Sequence, residues 1–285
     1  MRTPSCLFLL LCFLLFQPPA YADGEKEYAL EKLKKEGLSQ EFIALVERAY
    51  LPDERDKIVE TNVLGFLGRA DYTGHYSAQA IKHCQKFMKR YAAKLGRVQK
   101  AYGVPKEVIT ALLWVETKFG ILLGRHNVMH VYFSMIQSDH PDVMKKTLQV
   151  LSEKVDEVAA KENRQKTIDR SYAKANWALR ELKSLHEIYK RRAKDVQNLK
   201  GSTAGAFGIP QFIPSSYLQW ARPLMKSGNP NLFQMEHAIQ SVGFYLKANG
   251  WDSSNSDSQQ AALFHYNRAQ GYVDVILKIA GELKN

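Results

Sequence analysis

Apolar residues recur at intervals of three and four along most of this chain, and strict alternation never persists beyond four residues. Residues 23–50 place Leu30, Leu33, Phe42, Leu45 and Val46 at helical spacing around a break at Gly37. Residues 77–102 repeat the rhythm through Ala80, Ile81, Cys84, Phe87, Met88, Tyr91 and Leu95, and between these two stretches residues 51–75 read as irregular. After Gly103-Val104, Pro105 opens a further helix, "PKEVITALLWVETKF", which stops at Gly120. An apolar segment follows at 127–138, then a long basic helical region at 142–196 with Trp177, Leu182, Leu185 and Ile188 on one face. Helices at 234–249 and 259–283 close the chain. The pattern predicts a mainly α protein with little or no β-structure.

Two places break this pattern. The helix after Pro105 carries Val108, Ile109, Leu112 and Leu113; continuing the rhythm, the next position is 116, which holds glutamate. A carboxyl group in an apolar stripe costs several kcal/mol if it stays ionised and unpaired, roughly, so its pKa rises. A carboxyl still protonated near neutrality can donate a proton to a leaving oxygen. The same spacing also fits a Glu116 paired with a lysine or arginine across the core, or one facing outward at the stripe's edge. The second break is residues 201–221, "GSTAGAFGIPQFIPSSYLQWA", where no charged residue occurs although 24% of the chain is charged. Its Gly and Pro content excludes an ordinary helix or strand. Tyr266-Asn267, inside the apolar run "ALFHYNRAQGYVDVILKIA", is a neutral polar pair that can orient a hydroxyl-rich ligand or a carboxyl, or satisfy buried backbone.

Composition narrows the setting. Arg2, the apolar run at 7–16 and "AYA" at 20–22 read as a signal peptide, residues 1–22, with cleavage before Asp23. Leu11 before Cys12 argues against a lipid anchor, so the mature chain is expected to be soluble, exported and without a transmembrane anchor. Removal of the signal leaves Cys84 as the remaining cysteine, which excludes an intrachain disulfide and a cysteine-rich zinc cluster. The net charge of +11 suits polyanions. Outside the cytosol these are wall polymers or lipid head groups rather than nucleic acid. The basic stretch 145–194 fits three roles equally: following anionic wall peptides, touching head groups, or staying hydrated.

"VETKFG", "GSTAGAFGIPQFIPSSY", "GFYLKANGW" and "HYNR", in this order and spacing, resemble the lytic murein transglycosylase B family, whose members cleave peptidoglycan glycan strands. The resemblance covers residue 102 to the C-terminus, includes "NWALRELKSL" around Trp177, and is loose over 23–100. It implies a lysozyme-like helical catalytic domain over 23–285, of the goose-type or soluble lytic transglycosylase kind. It implies Glu116 as the catalytic acid/base, Ser202, Gln211 and Tyr245 as residues lining the glycan cleft, and Tyr266 and Asn267 as the pair beside the carboxylate. The implied reaction cleaves the β-1,4 bond between N-acetylmuramic acid and N-acetylglucosamine and leaves 1,6-anhydro ends, in the periplasm and without a cofactor. A hydrolytic muramidase and a non-catalytic peptidoglycan-binding protein are the alternatives. Some family members carry an acidic calcium loop after "PSSY"; here residues 222–235 hold no carboxylate, and no metal site is expected.

Overall fold

The computed structural model describes residues 24–68, 70–223 and 228–284; the segment read as a signal peptide lies outside the described residues. The amphipathic N-terminal stretch forms α1 (Glu25–Lys35) and α2 (Gln40–Ala49), separated at Gly37; Ser39 caps α2 by accepting from the Phe42 N–H. α3 (Pro52–Val63) is a helix where the sequence predicts irregular structure. Its start is conventional, with Pro52 in the first turn followed by Asp53 and Glu54. Its buried face hides the periodicity, because Arg55 and Asn62 occupy it beside Ile58, Val59 and Val63. Arg55 is neutralised there by Glu25 at 3.2 Å and Asp56 at 2.7 Å.

α4 (Ala78–Arg90) and α5 (Ala92–Tyr102) divide the next helical stretch at Tyr91, and Cys84 is fully buried in α4. α6 (Lys106–Thr117) and α7 (Val128–Ile136) are apolar on nearly all sides, and every residue of α7 is buried. A helix of that composition belongs in the middle of a protein. α7 packs against α3 and against α9 (Glu157–Val196), which is preceded by α8 (Pro141–Lys154); α6 packs against α4 and α13 (Gln270–Glu282). Arg192 departs from helical backbone near the end of α9, at φ −151° and ψ 59°, and its guanidinium donates to the Pro230 carbonyl at 2.8 Å.

The extended structure among the described residues amounts to β1 (His126–Asn127) paired antiparallel with β2 (Lys200–Gly201). Beyond β2 the chain runs through the uncharged segment into α10 (Pro214–Trp220), then α11 (Met235–Ala248) and α12 (Ser256–Tyr266). The apolar run at the C-terminus is thus two helices, and Asn267 is the extended residue that ends the first of them. Side chains from α1, α2, α4 to α7, α9 and α11 to α13 share one core, so the loosely matched N-terminal part is integral to the same unit. The fold is mainly α, as the periodicity predicts. Among the described residues no helix is long and apolar enough to cross a membrane.

Candidate active site

α6 ends abruptly. Lys118 and Phe119 take left-handed backbone, φ 50° and 59°, followed by Gly120 at φ 92°. Two consecutive non-glycine residues in that region cost on the order of 1–2 kcal/mol each. The Lys118 and Phe119 N–H groups satisfy the carbonyls of Trp114 and Leu113, and the Phe119 ring stacks on Phe87 at 4.0 Å. Phe119 therefore does not continue the apolar stripe, as its spacing suggests; it folds back outside the helix.

This ending leaves Glu116 in the last turn of α6. Its Oε1 accepts from the Tyr272 hydroxyl of α13 at 2.5 Å. The residue keeps partial exposure, while its carboxyl is closely surrounded by protein. Burial pushes the carboxyl up to about 7, and the Tyr272 donor pulls the other way; among the described residues no cation or second carboxylate acts on it. Of the arrangements the spacing allows, the ion pair across the core is not the one adopted. The hydroxyls of Tyr245, Tyr266 and Tyr272 are pushed up first by burial and then by Glu116 itself, so they remain protonated donors.

The uncharged segment is two successive tight turns. In the first, Ser202 N donates to the Ala206 carbonyl at 2.8 Å, and Ser202 Oγ accepts from Ala204 and Ala206 N–H. Tyr132 of α7 donates to the Gly205 carbonyl at 3.0 Å, and a Cβ at Gly205 would lie 2.4 Å from that ring. In the second turn Phe207 and Phe212 exchange backbone hydrogen bonds around residues 208–211, with Gly208 and Gln211 at positive φ. Thr117, the residue after Glu116, donates through its buried hydroxyl to the Ile209 carbonyl at 2.8 Å. One short link thus fixes the second turn against the end of α6.

Glu116, Gln211, Tyr245 and Tyr266 come together around this junction. Gln211, Tyr245 and Tyr266 line a cavity of about 250 Å³ with Ser215, Trp220 and His265. Tyr266 donates to the Pro210 carbonyl at 2.5 Å, and its ring stacks near Tyr272, at 6.2 Å between centroids. Asn267 donates to the Tyr72 hydroxyl at 3.2 Å and makes no hydrogen bond to the acid. Ser202 lies in the first turn, away from that cavity, with its hydroxyl spent on the loop backbone. Sequence reasoning missed Tyr272, the direct partner of Glu116, and Tyr72, whose ring meets Tyr272 edge-on at 5.8 Å. Both sit among apolar or irregular neighbours and carry no local signal.

The sequence profile of the transglycosylase SLT domain matches residues 32–272. The chain belongs to that family. The SLT-domain match begins well before residue 102, where the motif resemblance starts, and so takes in most of the N-terminal helices. The chain is 31% identical to the membrane-bound lytic murein transglycosylase B of Escherichia coli K12 over 165 residues, which are 58% of this chain. They span 37% of that relative's length. The Escherichia coli lytic transglycosylase SLT35, solved in complex with calcium, superposes with a TM-score of 0.67 at 18% identity, covering 91% of this chain and 92% of that one. SltB3 of Pseudomonas aeruginosa, solved with a NAG-anhNAM-pentapeptide, gives a TM-score of 0.67 at 16% identity, covering 93% and 80%. The lysozyme-like helical fold of those enzymes is the fold of this chain.

Proposed function

We propose that this SLT-domain protein is a peptidoglycan lytic transglycosylase of the exported, periplasmic kind, with residues 23–285 as its catalytic unit. The observation that carries the reading is the Glu116 carboxyl, held up to about 7 by burial, hydrogen-bonded by Tyr272 and free of any second carboxylate acting on it. Glycosidases that use a nucleophile or an activated water generally need a second carboxylate within about 5–10 Å. A lone acid suits a reaction in which the substrate supplies its own nucleophile.

In that reaction Glu116 gives its proton to the oxygen of the β-1,4 bond between N-acetylmuramic acid and N-acetylglucosamine. The C1–O bond breaks, and its electron pair leaves with the N-acetylglucosamine oxygen. Glu116, now a carboxylate, takes the proton from the muramic C6 hydroxyl. That oxygen closes on C1 and forms the 1,6-anhydro ring, so no water is consumed and the acid is regenerated. Proximity within one sugar replaces an external nucleophile. Tyr272 holds the carboxyl in place and stabilises it as an anion between the two steps. Gln211, Tyr245 and Tyr266 border the cavity in which neighbouring sugars sit, and Asn267 acts through Tyr72. Ser202 shapes the turn that carries the segment and presents its neighbours to the strand.

Mass spectrometry of purified peptidoglycan digested with wild type and Glu116→Gln tests this. Wild type is expected to release muropeptides one water lighter than reducing-end products, and the variant none. Reducing-end products would establish hydrolysis instead. Sacculus binding without turnover in both proteins would establish a binding protein.

A further inference from the structure

The basic stretch on α9 has no part in the chemistry above, and three of its cations form a row, two of which are linked to the first turn of the uncharged segment. Lys166, Arg170 and Lys174 follow one another at four-residue spacing and so share one face of α9. Arg170 is seated on the C-terminal end of α3: its Nε donates to the Val63 carbonyl at 2.7 Å and Nη2 to the Asn62 carbonyl at 3.0 Å. Asn62 in turn donates from its side chain to the Thr203 carbonyl at 2.9 Å. Lys166 lies 4.1 Å over the ring of Phe66, and Lys174 lies 4.7 Å over the ring of Trp177. Trp177 packs edge-on against Tyr132, the residue that holds the Gly205 carbonyl. The row is therefore linked to residues 203–205, which adjoin Ser202, at its middle through Arg170 and Asn62 and at one end through Lys174, Trp177 and Tyr132.

Three like charges at this spacing repel one another, more so where they are half-buried. Among the described residues no carboxylate forms an ion pair with Lys166, Arg170 or Lys174, although Glu162 stands four residues before Lys166. Burial and then Arg170 hold the Lys174 ammonium below its ordinary range, and no carboxylate acts on it. On Arg170 burial alone acts. Asp169, the nearest acid in sequence, accepts from the neutral Gln165 amide at 2.8 Å and forms no ion pair with the row. Aromatic rings keep all three cations in place, Arg170 sharing the Phe66 ring at 5.2 Å, without neutralising them.

We infer that Lys166, Arg170 and Lys174 form a subsite for the carboxylates of the peptide stems carried by muramic acid, beside the first turn of the uncharged segment. The inference rests on the peptidoglycan reading above. The glycan backbone is neutral between its stems, so a charged row beside an uncharged loop divides the substrate as the substrate itself divides. Arg170 is fixed by its carbonyl contacts and anchors the row; the two lysines, each held over an aromatic ring, make the contacts.

The test uses protein carrying Glu116→Gln, so that binding is read without turnover. The probes are sacculi with native stem carboxylates, sacculi whose carboxylates have been converted to amides, and an uncharged β-1,4 N-acetylglucosamine oligomer. Lys166→Gln with Lys174→Gln is expected to weaken binding to native sacculi about threefold to tenfold. Amidation should weaken the parent by the same factor and the double variant no further, and oligomer binding should be equal in both. Lys166→Gln alone, at an exposed position, should act in the same direction by about twofold. Unchanged binding to native sacculi, or an equal loss on amidated sacculi, overturns the subsite. A parent that binds neither sacculi nor oligomer defeats the peptidoglycan reading itself, whereas one that binds native and amidated sacculi alike defeats only the cationic row.

Discussion

At the residue scale, the energetics of one carboxyl decide what the groove can do. With its folded-state value near 7, Glu116 binds a proton more tightly in the native protein than in the unfolded chain, where it titrates near 4.5. Its favourable linkage is fully present below pH 4.5 and is lost as pH rises to about 7, a difference on the order of 3 kcal/mol. Glu116→Gln should therefore raise the unfolding midpoint at pH 8 and leave it nearly unchanged at pH 4, while turnover falls by roughly 10²–10⁴. Thermal unfolding at the two pH values checks the first statement. Tyr272→Phe removes the donor that lowers the carboxyl, so the alkaline limb of the pH–rate profile should move to higher pH as kcat falls. An unmoved limb would detach Tyr272 from the acid.

At the scale of elements, the junction between the end of α6 and the second turn of the uncharged segment positions that acid. Thr117→Val deletes the bond to the Ile209 carbonyl and should cost about 1–2 kcal/mol of stability in urea unfolding, with kcat falling more than KM rises. Gly208→Ala places a Cβ 2.5 Å from Leu232 at φ 75° and should cost roughly 2–4 kcal/mol. Much of this was legible beforehand, since Glu116 interrupts a regular stripe and residues 201–221 lack charge in a highly charged chain. What stayed hidden depends on contacts distant in sequence. Tyr272 reaches Glu116 across 156 residues from a run that reads as ordinary core. α3 conceals its buried face behind Arg55 and Asn62, whose polarity is satisfied by partners on other elements. Phe119 and Asn267 fall just beyond helix ends, where periodicity gives no warning that the backbone has turned.

At the scale of the whole molecule, a single helical core holds the site, and among the described residues no disulfide reinforces it. Cys84 is buried and burial pushes its thiol up to about 12, so it is neither a nucleophile nor a redox centre near neutrality. Reductant should therefore leave the thermal midpoint unchanged; a shift would reveal a disulfide bearing on stability. The core is shared from α1 to α13, which ties the N-terminal helices to the site they surround. The proposed chemistry, the neutral loop and the lone carboxyl all converge on one property, a proton retained by Glu116 near neutral pH. Carbon-13 NMR titration of the glutamate carboxyls, with Glu116 assigned by difference against Glu116→Gln, measures it directly. The account predicts a midpoint near 7; a midpoint at the ordinary 4.5 would contradict it.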